Sequence, residues 1–277
     1  MPFLTESEPP HDAATAVRPG IRRLVADNPG PMTYRGTNTY LIDAPEGAIV
    51  LDPGPDDAAH VSRIMAACEG RVGLILLSHT HRDHVGAVSA LRAASGAAVA
   101  AWHKPSIDGF APDIALDDGG SVAGFGVVHT PGHAADHVCF ARTEADGTRL
   151  LFSADHVMSW SSSIVSPPDG DMAAYFASLR LLLARDDAVY LPGHGPPLEA
   201  PHALVEELLS HRTAREAAIL EELRANGPRG TRALTDALYS QTLPLLRLAA
   251  ERNVLAHLLK LEGEGLAARD GDVWRAA

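Results

Sequence analysis

The chain has 277 residues, 46% of them hydrophobic, which is room for one large domain with a small appendage and a sizeable buried core. No apolar run reaches the roughly 18 residues a membrane span needs, and residues 1–19 lack the basic start and apolar stretch of a secretory signal. A net charge of −12 opposes broad binding to nucleic acid, and a cytoplasmic protein without membrane contact is expected.

In chain order, residues 1–20 read as a disordered leader, acidic and proline-bearing. Strands are expected over 21–25, 38–42 and 48–51, the last ending in Asp52-Pro53-Gly54. A helix over 58–67 places Val61, Ile64 and Met65 on one face. Cys68, like Cys139, reads as a small buried hydrophobe rather than half of a disulfide. The apolar run 72–77 is a buried strand and 85–94 a helix, with Ser78 to His84 as the turn between them. A strand over 97–102 and a loop-like stretch over 103–120 follow, then a strand over 122–128 that runs into His129-Thr130-Pro131-Gly132-His133. A hairpin of 138–141 and 150–152 delivers Ser153-Ala154-Asp155. Asp171 caps a helix over 172–184, and the strand 188–191 leads to Pro192-Gly193-His194-Gly195. Pro196, Pro197 and Pro201 mark a boundary, so the domains are 21–200 and 201–277. The second is mostly helical, over 202–225, 234–239, 243–250 and 253–261, and closes in a hairpin at Asp270-Gly271.

Four of these turns share a pattern, an apolar strand that runs into His or Asp. The densest, His79-Thr80-His81-Arg82-Asp83-His84, holds three imidazoles and a carboxylate in six positions, where α/β sheets build their sites. Imidazole and carboxylate together suit Zn²⁺ and similar divalent ions. Side chains two apart in an extended turn point the same way, so His79 and His81 can share one ion. Asp83 and His84 then begin a second. Convergence of the strand ends adds His133 to the first ion and His194 to the second, with Asp155 bridging. Two such ions, about 3.5–4 Å apart, activate a shared hydroxide and polarise the substrate oxygen, so no protein nucleophile is needed. Asp83 is the candidate catalytic proton acceptor. Asp52 is expected to orient a ligand imidazole from behind. His137 and His156 should point away, His103 and His129 should be structural or pocket-lining, and Asn38, Thr39 and Tyr34 are candidate cleft residues. Two zinc ions are expected, with Mn²⁺ or Fe also suited to a mixed His/Asp set.

The segment His79 to His84 resembles the His-x-His-x-Asp-His signature of the metallo-β-lactamase superfamily. Asp52-Pro53-Gly54, His129 to His133, Leu151 to Asp155 and Pro192 to Gly195 resemble its other motifs in the same order, over residues 21–200. Ala154 departs from the pattern, where glycine is common. The resemblance implies an αββα sandwich with a dinuclear metal site at one edge of the paired sheets. Asn28-Pro29-Gly30, then Gly36-Thr37-Asn38-Thr39-Tyr40-Leu41, resembles the β-lactamase-like protein 2 group, whose small winged-helix-like C-terminal domain the helical tail resembles. The leading activity implied is cleavage of single-stranded RNA, with Arg212, Arg215, Arg224, Arg229 and Arg232 as candidate phosphate holders. The alternative is hydrolysis of thioesters or lactones, small acyl substrates that the acidic balance suits better. A non-catalytic metal-binding module is a third reading, opposed by the complete ligand set. The tail is expected to roof the site and not to bind duplex DNA. Its Leu245, Leu248, Val254, Leu255, Leu258 and Leu259 are expected to pack on the body or on a second copy in a homodimer.

Overall fold

The computed structural model describes residues 3–241 and 243–277. A seven-stranded sheet runs in chain order through β1 (Thr15–Arg18), β2 (Ile21–Val25), β3 (Asn38–Ile42), β4 (Ala48–Leu51), β5 (Val72–Leu76), β6 (Ala98–Trp102) and β7 (Ile114–Leu116). Its first four strands pair antiparallel and β4 to β7 pair parallel. The helices α1 (Ala58–Ala67), α2 (Arg82–Val85) and α3 (Val88–Ser95) belong to the parallel crossovers.

The second sheet takes β8 (Ser121–Val122), β9 (Phe125–His129), β10 (Val138–Thr143), β11 (Arg149–Ala154), β12 (Val189–Pro192) and β13 (Leu198–Glu199) as successive neighbours. Only β11 and β12 are parallel, and α4 (Met172–Leu183) makes that crossover. Asp171 caps α4 as expected, accepting from the Ala174 amide at 2.8 Å.

Strand alternation explains the layering. Tyr40 and Ile42 on β3, and Leu150 and Phe152 on β11, point between the sheets into one core. Leu41 points the other way, onto the layer of Val61, Ile64 and Leu91 from α1 and α3. Leu151 and Tyr190 point onto α4. The order is helix, sheet, sheet, helix. The ends of β4, β5, β11 and β12 therefore share one edge, and Asn38 stitches it: its amide donates to Gly193 O at 2.7 Å and its Nδ2 to Pro192 O and Gly195 O, both at 2.8 Å.

The tail holds α5 (His202–Asn226), β14 (Arg229–Gly230), α6 (Thr231–Leu238), α7 (Pro244–Gly263), β15 (Ala267–Asp270) and β16 (Val273–Ala276), with the strands ordered β14-β16-β15. The start of α5 belongs to the body, where Leu204, Val205 and Leu208 pack with α4. Its end, at Ile219 and Leu223, joins Leu234, Val254, Leu258 and Trp274 in a separate core. No helix among the described residues is long and apolar enough to cross a membrane.

Several elements differ from expectation. Residues 3–20, read as a disordered leader, lie against the body. β1 pairs with β2, the Leu4 amide donates to Ser159 O at 2.8 Å, and Glu6 pairs with Arg23 at 2.7 Å. An open sheet edge and a buried arginine supply the partners that the leader's own composition does not reveal. The helix expected over 85–94 is broken at Gly86, where the Asp52 loop docks: Gly54 N donates to His84 O at 3.2 Å and Ala87 N to Gly54 O at 3.0 Å. A Cβ at Gly86 would stand 2.5 Å from both Arg82 O and Asp56 N, so only glycine lets the two loops approach. The loop 103–120 contains β7, and the strand 122–128 is folded by Ala123-Gly124 into β8 and β9. Two expected tail helices are one, α7. Of its leucines, Leu258 is buried in the tail core, Leu255 and Leu259 flank that core, and Leu248 is 69% exposed. The side chain of Leu245 lies outside the described residues.

Candidate metal centre

The common sheet edge gathers the four turns. His79 and His81 follow β5, and His81 is the extended residue that opens α2, so Asp83 and His84 ride on a helical turn and face elsewhere. His133 follows β9, Asp155 follows β11 and His194 follows β12. Gly193 leaves room for the cluster, since a Cβ there would lie 2.4 Å from Asp155 Oδ1 and 2.9 Å from His84 Cε1. Ala154, which stands where glycine is common, has φ +42 beside the register shift of β11.

Each of the five imidazoles is held by its outer nitrogen. His84 Nδ1 donates to Asp52 Oδ2 at 2.9 Å, His133 Nδ1 to Ile164 O at 2.8 Å, His194 Nδ1 to Gly36 O at 3.2 Å and His81 Nε2 to Asp169 Oδ2 at 3.2 Å. Ser78 Oγ donates to Asp52 Oδ2 at 2.6 Å and so accepts from His79 Nδ1 at 2.9 Å. These acceptors fix the tautomers, and every neutral ring turns a lone pair inward.

Inside, donor atoms face one another. His81 Nδ1 lies 3.1 Å from His79 Nε2 and 2.9 Å from His133 Nε2. Asp83 Oδ2 lies 3.2 Å from His194 Nε2 and 3.6 Å from His84 Nε2. Asp155 stands between the groups, with Oδ2 3.4 Å from His194 Nε2 and 3.6 Å from His133 Nε2, and Oδ1 3.5 Å from His84 Nε2. His84 Nε2, His194 Nε2 and Asp155 Oδ1 are buried without a hydrogen-bond partner. Facing lone pairs and orphaned buried donors are costly unless a cation satisfies them. The sets His79/His81/His133, His79/His84/Asp155 and Asp83/His84/His194 each have ligand atoms within 4.8 Å of one another, so the residues fit divalent metal.

Burial, helped by the neighbouring imidazoles, pushes His79 well below its ordinary pKa and His133 down to about 4. At His84 and His194 burial is outweighed by the carboxylates, Asp155 foremost. His84 is held well above its usual range and His194 is raised to about 9. Burial acts to raise Asp155, but His194 and His84 hold its carboxyl well below the carboxylate range. The His194 pairing is at full strength below its ordinary pKa of 6.5 and is lost as pH rises through about 9. The melting temperature of chelator-treated protein should fall across that window while its affinity for added Zn²⁺ rises, because the ion displaces protons. Two flat profiles between pH 6 and 9.5 would contradict this.

All seven proposed ligands and Asp52 lie in this cluster. Asn38 and Thr39, read as cleft residues, are buried behind it, Asn38 as the stitch described above and Thr39 as a donor to Asp52 O at 2.8 Å. Tyr34 stacks on Trp160 at 4.9 Å instead of reaching the ligands. His137 and His156 are fully buried, with the His137 ring 5.2 Å from that of His79. Arg212, a candidate phosphate holder, is 2% exposed and caps the Ser163 carbonyl. Asp169 escaped the sequence reading: it holds His81 and, through Oδ1, also Ser106 Oγ at 2.7 Å and the Ala135 amide at 3.1 Å. No motif marks it, and its partner lies 88 positions away.

Residues 32–105 and 103–194 match the metallo-β-lactamase superfamily, and 231–274 match the β-lactamase-associated winged helix domain. The chain is 32% identical to a β-lactamase-like protein 2 homolog of Drosophila melanogaster, over 91% of each chain. It is 31% identical to an atrochrysone carboxyl ACP thioesterase of Passalora fulva, over 89% of this chain and 77% of the other. The crystal structure of a β-lactamase domain protein from Burkholderia ambifaria superposes with a TM-score of 0.84 at 21% identity, covering 98% of this chain and 96% of that one. With the αββα sandwich, the His/Asp cluster and the tail all in place, the chain belongs to the metallo-β-lactamase superfamily and is a metal-dependent hydrolase with a C-terminal winged-helix domain.

Proposed function

We propose that the protein is a dinuclear zinc thioesterase, acting on an acyl group carried by a thiol. His79, His81 and His133 would hold one ion, Asp83, His84 and His194 the other, with Asp155 shared. Bound there, the ions supply Lewis acidity toward a water and the scissile carbonyl. The chain's residues do the rest. Asp83, 27% exposed and held ionised by His84 and His194 against the opposing effect of its burial, is placed to take the water's proton and deliver it to the leaving thiolate.

The observation that carries the acyl reading is the pocket over the cluster. It is a cavity of about 230 Å³ that opens on His81, Asp83, His133 and Asp155. Met32, Met158, Trp160 and Ile164 wall it with three serines, and none of its lining residues is Lys or Arg. An apolar wall with a few polar groups suits an acyl chain. A polynucleotide needs cations along its phosphates. Three of the five arginines read as phosphate holders are occupied elsewhere: Arg212 is buried, Arg215 stacks over Tyr239 and Arg229 pairs with Glu222 at 3.1 Å. The kinship with a protein named as an acyl-carrier thioesterase supports the same reading. A wider cleft, lined by Arg82, Asp83, Ile107 and Phe110, meets the pocket at Asp83 and offers a path for the thiol arm.

The test is a panel of acyl-CoA thioesters, a lactone and labelled single-stranded RNA, with zinc-loaded protein and an Asp83→Ala control. Thioester turnover that the control lacks is expected, with no RNA cleavage. Trp160→Ala should raise KM for medium-chain thioesters about 10-fold, the worth of one to two methylenes of apolar contact, and leave acetyl thioesters nearly unchanged. RNA cleavage without thioester turnover would overturn the proposal.

A further inference from the structure

His133 is oriented by a carbonyl that the sheets do not hold. Ile164 O, which accepts from its Nδ1, lies between β11 and α4 in a stretch without helix or strand. The peptide groups on both sides of Ile164 are fastened by the tail. On α7, Asn253 Oδ1 accepts from the Val165 amide at 2.9 Å, and Arg252 Nε donates to Ser166 Oγ at 2.9 Å. On α5, the buried Arg212 donates to Ser163 O, and Ser163 Oγ donates to the backbone carbonyl of Asp155 and, at 2.9 Å, to that of His156. Three tail side chains thus grip Ser163, Val165 and Ser166, which flank Ile164 in a stretch that touches two of the proposed ligands.

We propose that the winged-helix tail braces the metal centre, and that Asn253 is a positioning residue that acts through Ile164 on His133. A carbonyl held from both sides fixes the ring that donates to it, and partners one step removed from a ligand are worth about 10–100-fold in metal affinity. Asn253 is 88 residues from Val165, on an element that contributes no ligand. The inference rests on His133 being a ligand, so its test separates the two.

Full-length Asn253→Ala, Asn253→Asp, His133→Ala and the double variant Asn253→Ala/His133→Ala are titrated with Zn²⁺ against a fluorescent chelator. Melting of the metal-free forms is followed in parallel. Asn253→Ala should bind one zinc, the ion assigned to His79, His81 and His133, about 10-fold less tightly. Asn253→Asp, which keeps the acceptor oxygen, should restore binding. In the His133→Ala background the Asn253 change should cost nothing further, because coupled groups are not additive. Wild-type affinity in Asn253→Ala, or losses that add in the double variant, would overturn the brace while leaving His133 a ligand. Wild-type affinity in His133→Ala would overturn the ligand assignment itself. A fall in metal-free melting temperature with unchanged zinc affinity would make Asn253 a packing residue only and also overturn the brace.

Discussion

Asp155→Asn is expected to lower kcat/KM by about 10³-fold, about 4 kcal/mol of transition-state stabilisation, and, with the two zinc ions proposed above, to cut bound zinc from two equivalents to one or fewer. Among the described residues the carboxylate lies within 3.6 Å of the inner nitrogens of His84, His133 and His194 at once. It is 6% exposed, and its Oδ1 has no hydrogen-bond partner among the described residues. Asparagine keeps the volume. It offers one acceptor oxygen instead of two and turns an amide toward nitrogens that already carry inward lone pairs. The loss should exceed the 10–100-fold typical of groups behind a ligand. Metal analysis after dialysis and steady-state rates on one thioester decide it. Two tightly held zincs in Asp155→Asn would remove Asp155 from the shared position.

The parts of the fold that were legible were those that repeat a local rule. Apolar runs ending in turns announced β4, β5, β11 and β12, and ligand-type side chains stood at their ends. What stayed hidden was mostly backbone. The groups that aim His133 and His194 are the carbonyls of Ile164 and Gly36, and a carbonyl has no letter in the sequence. Asp169 was hidden because a lone aspartate in a loop looks like solvent-facing charge until the fold brings it to His81. The break at Gly86 was hidden because the docking partner, the Asp52 loop, is remote in sequence. The most instructive case is α7. The two helices expected over 243–250 and 253–261 part at Glu251 and Arg252, and Asn253 opens the second. The helix is continuous there because its backbone bonds do not depend on polarity, and Arg252 and Asn253 turn outward to Ser166 and Val165. An interruption in a periodic pattern was the signature of a contact.

The same economy governs the back of the cluster, where one carboxylate serves both halves, and there a conservative change should do at least as much harm as truncation. Asp52 is fully buried with φ +53. Its Oδ1 accepts from the Ser78 amide at 2.8 Å, and its Oδ2 accepts from Ser78 Oγ at 2.6 Å and from His84 Nδ1 at 2.9 Å. Through Ser78 it also fixes His79, so it orients one imidazole assigned to each ion. In Asp52→Asn the Ser78 amide demands an oxygen at the Oδ1 position, which leaves the NH₂ group facing His84 Nδ1. Two donors cannot pair, so His84 must carry its proton on Nε2, the atom that points into the cluster. Zinc affinity should fall by about 100-fold, the upper end of what such partners are worth. The isosteric Asn should be at least as damaging as Ala, which leaves space for a water to accept from Nδ1. Nitrogen NMR of the His84 ring distinguishes the tautomers directly. An Asp52→Asn protein with the Nδ1 proton retained and wild-type zinc affinity would show that the orientation of His84 comes from elsewhere.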